Sequence, residues 1–182
     1  KGMIFNSYIF IFAFLPLCLA GWYLLNHCEK HKAASAWIIL MSLIFCGYVN
    51  AVYTLVLIAS IAANYGLHRL LKKASGSAKK ATLIIGLVIN IAALLYLKYC
   101  NFFIENINAI CKTDFNLVKL LLPLGISFYT FHQISFLLDT YRGEIEECSV
   151  IDYALYISYF PKLSMGPIVR YNDMAAQFRD PT

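Results

Sequence analysis

Tyr129, His132, Ser135, Asp139 and Arg142 follow one another at intervals of three, three, four and three residues. At 100° per residue they share an arc of roughly 140° of a helix, whose other faces carry mainly Ile, Leu and Phe. His132 and Asp139 are nearly superposed in projection. A polar stripe of this kind within apolar sequence avoids lipid and faces a bundle interior or a watery cavity. Two readings stand at this point: groups that line a site, or hydrogen bonds that glue helices together. Asp139 and Arg142, at i and i+3, are also spaced to neutralise each other at a membrane edge. Further on, Gly166-Pro167 interrupts the apolar stretch from Leu163 to Val169, and Arg170 follows. Broken hydrophobic pieces suit a re-entrant or interfacial segment lining a cavity. Arg170 would there attract an anionic group or anchor to lipid phosphate.

The rest of the chain says what solvent these groups sit in. Hydrophobic residues make up 60% of the 182 and charged residues only 14%, against about 25% charged in soluble domains; mean hydropathy is +0.66. Tyr8 to Leu25, Ala33 to Leu67 and Ala81 to Leu97 each lack Lys, Arg, Asp and Glu. About 20 apolar residues cross the hydrocarbon core as a helix, so the chain reads as an all-α, polytopic transmembrane bundle with short broken helices. The net charge of +5 comes from Lys30 and Lys32 and from Arg69, Lys72, Lys73, Lys79 and Lys80, among others. These clusters flank apolar runs, the pattern that sets orientation in a membrane rather than one that binds nucleic acid. Six cysteines form no C-x-x-C pair, which argues against a disulfide framework or a zinc site. His27 and His31 stand at i and i+4 without a third ligand in view, and read as a solvated helix end rather than a metal site.

Taken in order, Lys1-Gly2 precede Met3, which reads as a natural start, and Ile4 to Leu25 forms the first span with Pro16 inside it. This span lacks a convincing small-x-small cleavage site and further spans follow, so a signal peptide is the weaker reading. Gly47 and Asn50 are the natural break in the long apolar run, which predicts a short helix over Ala36–Tyr48 and a full span over Ala51–Leu71. Arg69 to Lys80 is expected as a cytoplasmic loop, with the N-terminus outside. The next span covers Ala81 to Ile104, with Lys98 snorkelling near its far end, and Glu105 to Lys119 is expected as an outer loop. Pro123 fits the first turn of a helix running to Tyr141, and Gly125 permits close backbone approach. Tyr153 to Pro161 is too short to cross.

Several words of this sequence occur together and in order: MIFNSYIFIFAFLP from Met3, Asn64-Tyr65, KYCNFFIENIN from Lys98, LPLGISFYTFHQISFLLDTYRG from Leu122 and DYALYISYFPKLSMGPIVRY from Asp152. On them the chain resembles the membrane-bound O-acyltransferases, and within these the alginate O-acetylation branch. The branch has two glutamines after Thr-Phe, where this chain has His132-Gln133. The resemblance implies acyl transfer to hydroxyls of an exported polysaccharide or cell-wall polymer. The donor, acyl-CoA or an acyl-carrier thioester, would be a cytoplasmic substrate, with no bound cofactor and no metal. It also implies a partner of hydrolase fold on the periplasmic or extracellular side. It places the family's catalytic histidine beyond Thr182, so residues 1–182 are expected to form one membrane domain, the N-terminal part of the fold. Tyr129, His132, Gln133, Ser135, Asp139, Arg142, Gly166, Pro167 and Arg170 are then the candidate tunnel lining, and none of them is the catalytic base. The competing class is a non-enzymatic membrane protein, a transporter or scaffold, which an intramembrane His/Asp/Arg set and broken helices also suit.

Overall fold

Helices account for nearly all of the computed structural model, which describes residues 7–118, 123–167 and 169–179; among these no strand occurs. The expected start of the first span at Ile4 and the leading Leu122 of the Pro-Leu-Gly motif lie outside the described residues. A π-helical turn over Phe10–Phe14 leads into α1 (Leu15–His27). Pro16 sits just after that wide turn. Proline has no amide donor and its ring crowds the carbonyl one turn back, and the wider turn, in which Leu15 N–H reaches Phe10 O, accommodates it.

Helix α2 (His31–Val49) is a full-length helix rather than the short Ala36–Tyr48 piece expected. Its first turn carries His31 and Lys32, whose polar ends can remain at the membrane edge, so about 28 Å of helix is available. Of the two expected breakers, only Asn50 acts; Gly47 stays helical. Asn50 is extended (φ −165°), and its side-chain oxygen accepts from Val52 N–H at 2.9 Å, capping α3 (Ala51–Lys73). The expected Arg69–Lys80 loop is only a two-residue connection, Ala74-Ser75, because α4 (Gly76–Leu94) starts at once. The basic residues stand instead on helix ends, where Lys72 and Lys73 complement the carbonyl end of α3. A second π-helical turn (Leu95–Tyr99) joins α4 to α5 (Cys100–Cys111), so most of the stretch expected as a loop from Glu105 is helical. Residues 112–118 turn back along α5, held by Asn101 and Asn108: Asn101 bonds both backbone groups of Val118, and Asn108 those of Phe115.

Four helical stretches, Phe10–His27, His31–Tyr48, Ala51–Lys73 and Gly76–Cys111, are long and apolar enough to cross a membrane. Much of their surface is bare hydrocarbon: Tyr23, Leu55, Ile85 and Val88 are among the exposed side chains. This is a multi-pass membrane protein. Antiparallel packing of α1 on α2, α2 on α3 and α3 on α4 brings Lys30 and Lys32 to the same end of the bundle as Arg69 and Lys72.

Helix α6 (Ile126–Arg142) packs on α3 and α4 and on the short pair α7 (Val150–Ser158) and α8 (Phe160–Met165). Pro123 lies in the turn before α6 rather than in its first helical turn, and its carbonyl accepts from Ile126 N–H. Ser149 and Asp152 cap α7 reciprocally, so this helix begins sharply although it is brief. Phe10, Phe14, Phe45 and Phe160 then knit the first π-helical turn, α2 and α8 together, with ring centroids 5.4–6.0 Å apart. The chain closes with α9 (Tyr171–Arg179).

Candidate functional site

Helices α7 and α8, parted at Tyr159, and the backbone after Gly166 form one broken unit, of the kind that suits a re-entrant segment. Helix α7 enters beside the basic end of α3, where Lys72 Nζ donates to Glu146 O and Tyr65 OH donates to Cys148 O. Helix α8 then carries Leu163 against Gly125, just before α6. Gly125 has φ +70°, and a Cβ there would run into the Leu163 carbonyl and lie 2.9 Å from its side chain. Only glycine suits that backbone at that distance. Gly166 and Pro167 are non-helical, and Arg170, also outside any helix, has its guanidinium 3.5 Å from Glu144, just past the other end of α6. The re-entrant unit therefore runs the length of α6.

The polar stripe of α6 meets this unit. His132 is buried, its Nδ1 bonds Phe128 O at 2.6 Å, and its ring stands edge-on to Tyr156 at 5.5 Å. The Pro167 backbone approaches the same ring without completing a hydrogen bond to Nε2, which has no partner among the described residues. Tyr156 OH donates to Val169 O at 2.8 Å, pinning the return strand to α7. Tyr129 is buried on the same helix, facing a 250 Å³ cavity that also involves Ser60, Asn64 and Asn90. Ser135 is half-buried. Asp139 is 4% exposed and sits among the charges of Glu144, Arg142, Arg170 and Asp173.

One expected pairing does not form. Asp139 makes no ion pair with Arg142 within 4 Å; Arg142 and Arg170 both turn to Glu144, at 3.9 and 3.5 Å. The long arginine stems reach the exposed carboxylate past the helix end, where charges stay hydrated, whereas Asp139 lies under the return strand. Gly166 and Pro167 line a separate cleft of about 420 Å³ with Trp22, Tyr159 and Lys162. So the structure brings His132 and Pro167 together, and Arg142 and Arg170 together. Tyr129 and Gln133 are directed to the α3 side instead.

On that side, Gln133 Oε1 accepts from Ser60 Oγ at 2.9 Å, and Asn64 and Asn90 exchange two amide hydrogen bonds of 3.1 and 2.6 Å. Gln133 also neighbours the Tyr153 phenol, without hydrogen-bond geometry between them. His68, only 1% exposed, bonds Thr140 at 2.9 Å and meets the Phe136 ring at a 45° tilt, 4.9 Å between centroids. It faces a polar cleft of about 510 Å³ where Lys72, Glu146 and Ser149 meet. Neither His68 nor Lys162 stood out in the sequence. Their positions on apolar helix faces were the available signal, since a buried polar side chain in a membrane helix must find a partner or a ligand.

The family model for membrane-bound O-acyltransferases matches residues 82–182, the region holding α6 and the re-entrant unit. The chain belongs to the membrane-bound O-acyltransferase family. It is 36% identical to a peptidoglycan O-acetyltransferase of Helicobacter pylori, over 98% of this chain and 39% of that protein. It is 33% identical to probable alginate O-acetylases AlgI of Pseudomonas aeruginosa and Pseudomonas syringae, in each case over 99% of this chain and 35% of the relative. The chain thus spans about two fifths or less of the length of these relatives. No solved structure gives a significant match.

Proposed function

We propose that this chain is the scaffold and tunnel wall of a membrane O-acyltransferase that passes an acyl group, most simply acetyl, to hydroxyls of an exported polysaccharide or cell-wall polymer. The observation that carries this reading is the re-entrant unit laid along the polar stripe of α6, within the very segment the family model matches. A transfer between a donor on one face and a polymer on the other needs a polar route at membrane depth. Non-helical backbone at that depth is tolerated only against protein or a cavity. The relatives' named activities, on peptidoglycan and alginate, support a polymer hydroxyl as acceptor.

In this reading the end bearing Lys30, Lys32, Arg69 and Lys72 is cytoplasmic, the N-terminus is outside, and the acyl-CoA or acyl-carrier thioester arrives at the basic end. A hydrolase-fold partner on the outer face would take the acyl group onward. The general base that deprotonates the acceptor hydroxyl is assigned to a histidine after Thr182, and His132 is assigned to the wall. Replacing that downstream histidine in the full-length protein should abolish acylation of the polymer, measured by release of acetate from it on mild alkaline hydrolysis. Undiminished acylation would overturn the proposal. The transporter reading is set aside because the named relatives are O-acetyltransferases.

A further inference from the structure

Lys162 is a buried cation without a buried anion. Its side chain is 8% exposed, and no carboxylate lies within 4 Å of it among the described residues. The ammonium group instead stands over the Tyr156 ring, 4.2 Å from its centroid, and touches Met174 Sδ at 3.5 Å. A π face and a thioether are weak substitutes for an oxyanion at membrane depth, where an unmatched charge is costly. Gly166 lies against the stem, so closely that a Cβ there would fall 2.6 Å from Lys162 Cα and Cγ.

The same lysine lines the cleft of about 420 Å³ formed with Trp22, Tyr159, Pro161 and Val169. That cleft is mainly apolar; Lys162 is its one charged side chain, beside the polar groups of Gln177, Tyr159 and Trp22. It adjoins α1, whose Leu17, Leu19, Tyr23 and Leu24 are exposed toward the bilayer. One cation at the base of an apolar cleft, open to a lipid-facing helix, matches an amphiphile with an anionic head. A tryptophan at the rim adds the ring type favoured at the headgroup level.

We propose that this cleft binds a phosphate carried on apolar chains, the headgroup of an anionic glycerophospholipid, through Lys162. The phosphate supplies the counter-charge that the described residues lack, and the acyl chains cover Trp22 and Val169. The lipid would thereby brace α8 and the return strand against α1, next to His132 and Tyr156.

Native mass spectrometry of the full-length protein, in detergent supplemented with phosphatidylglycerol or phosphatidylcholine, tests this directly without reading turnover. The native protein should retain phosphatidylglycerol about tenfold more strongly than phosphatidylcholine, and Lys162→Arg should keep that preference. Lys162→Met should lose it while melting no lower than the native protein in lipid-free detergent, because an apolar chain then replaces an unmatched buried charge. Excess inorganic phosphate should leave the retained lipid in place. An unchanged preference in Lys162→Met would overturn the proposal. So would a Lys162→Met protein that melts lower without lipid, which would mean that the cation answers a carboxylate elsewhere in the protein. Displacement of the lipid by inorganic phosphate would make this a soluble-phosphate site instead.

Discussion

Two polar clusters flank α6, and they differ in how their hydrogen bonds close. On the α3/α4 side, Asn64 and Asn90 bond each other, His68 is held by Thr140, and Ser60 meets Gln133 Oε1, while Gln133 Nε2 alone of that set has no partner among the described residues. On the α7/α8 side, among the described residues, His132 Nε2 has no hydrogen-bond partner and Lys162 has no carboxylate within 4 Å. Both clusters are equally buried, so burial does not distinguish them. Closure does. A closed set of hydrogen bonds in apolar surroundings is glue between helices, whereas an open set at the same depth is a place where a ligand or substrate can complete the network. The Asn64–Asn90 and His68–Thr140 pairs are thereby structural, and the α7/α8 side, which holds the buried charge Lys162, is the one fitted to recognition.

The largest effect should come from separating the open cluster from α6. Gly125→Ala forces a side chain into left-handed backbone and into the Leu163 carbonyl, at a cost of about 2–4 kcal/mol. A drop of many degrees in the melting midpoint, together with loss of acyl transfer in the full-length protein, is the expected result. Breaking the closed cluster should cost less. Asn90→Leu strands Asn64 and should cost about 1–2 kcal/mol, and adding Asn64→Leu should restore part of it. A double-mutant cycle by thermal unfolding measures that coupling, and strict additivity of the two losses would argue against glue. Thr140→Val removes the hydroxyl that holds His68 and should cost about 1 kcal/mol, with little effect on lipid retention at Lys162. Glu144→Gln removes the exposed contacts to Arg142 and Arg170 and should cost less than about 1 kcal/mol. That loss should shrink further at high salt, where screening already weakens the native pair.

Individual residues show where sequence reasoning reached and where it stopped. The break at Asn50 was readable because a short side chain that bonds its own backbone two residues on is a local device. Gly47, beside it, was not a break, because its neighbours supply helical hydrogen bonds that outweigh its weak propensity. The full length of α2 was missed for a related reason: His31 and Lys32 read as loop, yet helix ends can carry such side chains to the membrane edge. The stripe of Tyr129, His132 and Asp139 was visible as a periodicity. Its contact with a return strand was not, since His132 and Pro167 meet only through a turn at Gly166.

Sequence by itself determined the class of molecule. Uncharged runs long enough to cross a bilayer, basic residues at their ends and a 3.6-residue polar stripe are all properties of single segments, and the bilayer imposes the rest. Tertiary structure alone decided which polar groups close on one another. Ser60 and Gln133 are 73 residues apart and His68 and Thr140 are 72 apart, and neither spacing carries any trace of the contact. Nor could the sequence show that Glu144 draws both arginines while Asp139 is covered, or that Lys162 is walled in beside Tyr156 with no acid in reach. Those outcomes depend on how the re-entrant unit docks along α6, a packing of side chains from distant segments rather than a pattern within any one of them.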